Sequence, residues 1–126
     1  MQVKIQVKIT ETMVMNEILY KLNKMGVGSF DRINNVPAYN EKLGQYKRLS
    51  FYARKGASDI IGIRNGRFIA IEVKTEKGRP NPNQKLFLQD VLDHGGISMI
   101  CRSVEDVEKK LAEVDDETSR RNTSMP

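Results

Sequence analysis

Tryptophan is absent, cysteine and histidine occur once each, and only 6% of the residues are aromatic. These shortages exclude a zinc finger, which needs four nitrogen or sulfur ligands, and any disulfide framework. Cys101 stands inside an apolar run and reads as a small buried hydrophobe rather than a ligand or nucleophile. A lone cysteine and a lone histidine point to a reducing, cytoplasmic setting, in a bacterium or a host cell. No apolar run approaches the roughly 20 residues of a membrane helix, no signal peptide is evident, and no internal repeat appears. What remains is a 126-residue chain, 39% hydrophobic and 29% charged. It is expected to form one soluble domain that buries about two-thirds of its unfolded surface around a lean core.

The charge is unbalanced toward cations, with a net +5 and a pI near 9.4. A basic balance fits a polyanionic partner, although many basic proteins bind no nucleic acid. Its distribution says more. Lys42, Lys47, Arg48, Arg54 and Lys55 precede the stretch 56–74, while Lys77, Arg79 and Lys85 follow it. A phosphate backbone held by these side chains would lie beside that stretch; a solvated basic surface is the plainer reading.

Residues 56–74, GASDIIGIRNGRFIAIEVK, read as a β-hairpin. Two β-branched runs flank Asn65-Gly66, the pair best suited to a type I′ turn because both central residues need φ > 0. With those two as the loop, Arg64 opposes Arg67, and counting back along both strands sets Asp59 opposite Glu72. Opposed residues have Cβ atoms roughly 4.5–5.5 Å apart. The pleat puts Glu72 and Lys74 on one face, roughly 6–7 Å apart. Two opposed carboxylates destabilise a sheet unless something positive lies between them. A divalent cation with oxygen ligands is the natural candidate, with Lys74 as a fixed charge beside it.

Asp59, a gap of twelve residues, and then Glu72-Val73-Lys74 resembles the D…(D/E)xK signature of restriction-endonuclease-like nucleases. The wider string, with TEKGRPNPNQ, Gln84 and Gly95-Gly96 downstream, resembles the virus-type replication-repair nuclease (VRR-NUC) family over roughly residues 11–108. The resemblance implies an α/β fold: a restriction-endonuclease-like core with a mixed central sheet flanked by helices in the order α-β-β-β-α-β. It also implies Mg²⁺ or Mn²⁺ as cofactor, held by Asp59, Glu72 and the Val73 carbonyl. Lys74 would orient the attacking water.

Taken in order, residues 2–9 alternate apolar and polar and suit an edge strand or a partner-bound arm. Thr10 can cap a helix over 11–25, with Val14, Met15, Ile18, Leu19, Leu22 and Met25 as its apolar stripe and Gly26 as its terminator. From Glu11 to Ile18 is about 20° short of two turns, which sets Glu11 on that stripe, while Glu17 lies about 120° off it. Glu11 is either a carboxylate favoured by the helix dipole or, as the resemblance implies, the acid that opens the site helix; Glu17 is the fallback. Residues 28–34 read as a short strand, 38–45 as a polar loop and 46–53 as a further strand. The resemblance turns this region toward DNA, with Arg32, Lys47, Arg48 and Lys55 as candidate contacts and Lys77 and Arg79 on the other side. Gly56 suits a close backbone approach ahead of Asp59.

Asn81 and Pro82 mark a helix start. Gln84 in that first turn is either a plain helix former or, by the resemblance, the glutamine that steadies Lys74 or the water. His94 sits where a helix C-terminus favours an imidazolium. Residues 97–101 read as a buried strand parallel to the second hairpin strand. A last helix opens at Ser103 with Asp106 in a capping-box-like position. The domain is expected to span 11–113, with 1–10 an arm or edge strand and 114–126 a disordered tail.

Two classes of function stay open. One is a Mg²⁺-dependent, structure-selective DNA endonuclease; its stand-alone relatives imply a Holliday-junction resolvase acting as a homodimer on branched DNA, in a viral, phage or repair context. The other is a nucleic-acid-binding module that keeps the fold without turnover. An unrelated α/β domain with a chance motif is the residual reading.

Overall fold

A computed structural model describes residues 8–33, 39–40, 42, 44–46 and 56–124. In chain order the elements are α1 (Glu11–Met25), β1 (Ser29–Arg32), β2 (Tyr39–Asn40), β3 (Gln45–Tyr46), β4 (Ile60–Arg64), β5 (Arg67–Val73), α2 (Pro82–Asp93), β6 (Ile97–Cys101) and α3 (Val104–Ser124). Four strands form one mixed sheet in the order β1-β4-β5-β6, and β2 and β3 form a separate two-stranded ladder. The α/β class and helix-flanked mixed sheet expected from the sequence are present.

The hairpin sets the frame. Asn65 and Gly66 take φ of 52° and 77°, as the type I′ turn requires. The antiparallel register runs from Arg64↔Arg67 back to Ile60↔Ile71. On the other side of β4, β1 pairs antiparallel, with Phe30 opposite Gly62. A Cβ on Gly62 would come within 2.4 Å of the Phe30 ring, so a larger residue there would displace β1. β6 joins β5 in parallel after the α2 crossover, pairing Val73 with Cys101.

One apolar core lies against the sheet face carrying Ile69, Ile71 and Val73. Met15, Ile18 and Leu22 of α1 and Val104, Val107 and Leu111 of α3 close over it. α2 covers the opposite face, with Leu88 buried. Thr10 caps α1, its Oγ1 accepting the Met13 N–H, and Gly26 ends the helix in the left-handed conformation. Met25, expected on the buried stripe, is exposed, because the core that α1 faces ends at Leu22.

Two expectations need correction. The stretch 38–45 is not wholly loop: Tyr39 pairs with Tyr46 and Asn40 with Gln45, and Gly44 supplies a left-handed residue for the turn between them. The tail expected to be disordered from 114 is instead the second half of α3. Val114 still packs on the core, but residues 115–120 are exposed, so apolar periodicity vanishes there. The helix is held by other means: the Arg64 guanidinium donates to both Asp115 carboxylate oxygens at 2.6 and 2.9 Å, and Thr118 Oγ1 donates to the Val114 carbonyl. Adding residues to a formed helix costs far less than nucleating one. Of the expected N-terminal arm, residues 8–10 are exposed and irregular, and 1–7 lie outside the described residues. Of the strand expected over 46–53, only Tyr46 is described.

Candidate active site

The site is built where β4 begins and β5 ends. Asp59 immediately precedes β4, and its backbone carbonyl accepts the Ile33 N–H at 2.8 Å, which ties it to the end of β1. Its side chain reaches across the hairpin, Oδ2 accepting the Val73 N–H at 2.9 Å. Both contacts fix the carboxyl against the last residues of β5. Gly56, at φ +82°, lets this approach be made: a Cβ there would lie 2.3 Å from the Asn83 carbonyl carbon and 2.7 Å from the Gln84 nitrogen. The chain leading to Asp59 is therefore pressed against the first turn of α2.

Glu72 is 1% exposed, although it carries a carboxyl group. Its Oε1 lies 3.6 Å from Lys74 Nζ, and its Oε2 is buried with no hydrogen-bond partner among the described residues. Burial, reinforced by the neighbouring Asp59, pushes the Glu72 carboxyl up to about 8, against the opposing pull of Lys74. Lys74 Nζ also lies 3.9 Å from Glu11 Oε1, which brings the first residue of α1 to the same end of the sheet. Glu17 is exposed on the same helix.

The remaining candidates fall as follows. Gln84 occupies the first turn of α2, where its Oε1 accepts the Asn81 N–H while its own N–H donates to Asn81 Oδ1. That reciprocal capping box engages the side-chain oxygen, and among the described residues Gln84 makes no hydrogen bond to Lys74 or the carboxylates. Lys77 and Arg79 are exposed on the loop after Lys74, and Arg32 is exposed at the end of β1. Lys47, Arg48, Arg54 and Lys55 lie outside the described residues. His94 is exposed, its Nδ1 2.8 Å from the Asp90 carbonyl oxygen. Cys101 is buried, and desolvation pushes its thiol up to about 12, far from thiolate chemistry.

Two site features escaped the reading of the sequence. Ser58, beside Asp59, has a fully buried hydroxyl with no partner among the described residues. Arg102, just past β6, donates to the Gly78 carbonyl at 2.9 Å and braces the loop that follows Lys74. Neither carries a local signal, since each depends on segments distant in the chain.

The residues present suit a hard divalent cation. Asp59 and Glu72 are paired at a partly solvated edge, and an orphaned buried oxygen is a ready ligand. Mg²⁺ takes one or two carboxylates and keeps several waters. Among the described residues no cluster of three or more His, Cys, Asp or Glu stands ready to hold a metal, and Glu11 reaches the site through Lys74.

The VRR-NUC domain matches residues 10–105, about three-quarters of the sequence. This chain belongs to the VRR-NUC family. A solved structure of a VRR-NUC domain protein superposes with a TM-score of 0.59 at 15% identity, covering 86% of this chain and 89% of that chain. At that identity the likeness speaks for the fold. No curated protein matches the sequence. VRR-NUC is a nuclease-type family, so membership implies DNA as the substrate class. No helix among the described residues is long and apolar enough to cross a membrane.

Proposed function

We propose that this VRR-NUC chain is a divalent-metal-dependent DNA endonuclease that hydrolyses phosphodiester bonds. The observation that carries it is the buried Glu72 oxygen beside Asp59, unpartnered among the described residues, with Lys74 fixed 3.6 Å away. A pure binding module gains nothing from opposed carboxylates turned toward a polyanion. Asp59, Glu72 and the Val73 carbonyl would hold Mg²⁺ or Mn²⁺. Such an ion, when bound, offsets charge on the phosphoryl oxygens and lowers the pKa of a coordinated water.

The protein groups do the rest. Lys74 Nζ, held between Glu72 and Glu11, donates to the attacking water and to the charge that develops on phosphorus-bound oxygen. Asp59 keeps its orientation through the Val73 N–H. Gln84 acts through the α2 cap, holding that first turn against Gly56 and so the segment leading to Asp59. Lys47, Arg48, Lys55, Lys77 and Arg79 hold the phosphate backbone. Branched DNA is the favoured substrate, with a Holliday junction cut in pairs by a homodimer, in the cytoplasm of a bacterial or host cell.

The test is cleavage of four-way junction, flap and linear duplex DNA with Mg²⁺ or EDTA. Cleavage of the junction that requires Mg²⁺ and is lost in Asp59→Ala supports the reading. Wild-type cutting by Asp59→Ala removes the site assignment, and metal-dependent retention of DNA without cutting favours the binding module.

A further inference from the structure

β6 closes one edge of the sheet, and that edge is set back between two helices. The bond from the Lys74 N–H to the Cys101 carbonyl fixes the parity of the strand. In a parallel ladder alternate residues turn their backbone groups to the neighbour. Ile97, Met99 and Cys101 therefore address β5, and Ser98 and Ile100 present theirs outward. Among the described residues these outward groups find no partner. Outermost strands are ordinarily exposed, yet Ile97, Ser98, Met99 and Cys101 are buried. α2 on one face and α3 on the other overhang the strand, leaving a groove of about 750 Å³ along its edge.

The walls of this groove are unlike its floor. Leu92 and Ile100 expose apolar surface inside it. Lys85 on α2 and Lys109 and Lys110 on α3 stand along it, with no ion pair among the described residues. Of the two acids nearby, Asp106 is engaged, its Oδ2 accepting the Arg102 N–H at 2.8 Å. Glu113 is left against three lysines.

We infer that the β6 edge binds an acidic peptide in extended conformation, added as a fifth strand. Ser98 and Ile100 would exchange backbone hydrogen bonds with it, as in strand addition to an open edge. Five residues of strand span about 17 Å, the length of β6. Alternate side chains of the peptide fall on Leu92 and Ile100, and its carboxylates meet the lysines. A phosphate backbone has no use for the apolar floor or the unpaired strand groups. A second copy of this chain fits poorly, since its own β6 is set back between the same two helices and the rims would meet first.

The probe is a capped, fluorescein-labelled peptide of about nine residues alternating isoleucine and glutamate, titrated against the whole chain by fluorescence polarisation, beside an isoleucine–lysine counterpart. The acidic probe is expected to bind saturably, with affinity falling about tenfold or more for the lysine counterpart and for Lys109→Glu/Lys110→Glu. Amide exchange at Ser98 and Ile100 should slow on binding. That double variant should cut DNA as the wild type does, which separates this inference from the proposed nuclease site. Absence of saturable binding overturns the inference, as does protection away from β6. Protection of the same amides that depends on protein concentration without peptide assigns the edge to self-association instead. Stronger protection by a single-stranded oligonucleotide assigns it to nucleic acid.

Discussion

Toward its C-terminal end, the two faces of β5 are both buried and energetically opposed. Ile69, Ile71 and Val73 are fully shielded and turn into the core between α1 and α3, where each apolar Å² removed from water stabilises the fold by about 25 cal/mol. Glu72, one step along the same strand, is shielded almost as well and has a carboxyl oxygen with no partner among the described residues. Burying such a group costs free energy. The strand thus uses one face to hold the fold and the other to keep a carboxyl group poised, and a cost of that kind beside Asp59 and Lys74 marks a site rather than a scaffold.

Breaking the costly face should produce the largest effect. Glu72→Gln keeps the shape and removes the charge, so metal-dependent cleavage of junction DNA should fall by about 100-fold or more. The same variant should melt at or above the wild-type temperature, measured by differential scanning calorimetry without metal. Breaking the other face does the reverse. Ile71→Ala should cost about 2–5 kcal/mol in denaturant unfolding, while cleavage per folded molecule stays near wild type at low temperature.

pH sharpens the contrast. The Glu72 carboxyl titrates at about 8 in the fold against an ordinary value of 4.5, first because it is buried and then because Asp59 is beside it. Between those values the folded chain keeps a proton that the unfolded chain releases, so metal-free stability should fall as pH rises through that window. Melting temperatures from pH 5 to pH 8 should decline for the wild type and stay flatter for Glu72→Gln. Adding Mg²⁺ at pH 8 should raise the wild-type melting temperature and leave that of Asp59→Ala unmoved. The smallest effect is expected far from both faces. Asp115→Ala removes an exposed pair and should cost less than about 1 kcal/mol, with faster amide exchange confined to the last turns of α3.

The hairpin was legible because its information is local. Asn65-Gly66 dictates the turn, a two-residue loop leaves no freedom of register, and β-branched runs on both sides follow the pleat. α1 and α2 were legible for the same reason, each carrying a cap and a stop within a few residues of its ends. The second half of α3 was not, since the Arg64–Asp115 contact joins residues 51 apart. Gln84 shows the limit from the other side: its place at the start of α2 follows from sequence, but whether its side chain turns to the cap or to Lys74 depends on packing.

From the order of its residues alone, this chain commits Asp59, Glu72 and Lys74 to one end of one hairpin, because a tight turn and a period of two leave no other arrangement. How deeply Glu72 is shielded, whether α1 brings Glu11 to Lys74, and that β6 is recessed and, among the described residues, open along one edge were settled by packing. Those features depend on where α1, α2 and α3 come to rest against the sheet, and nothing within a few residues of any of them encodes it.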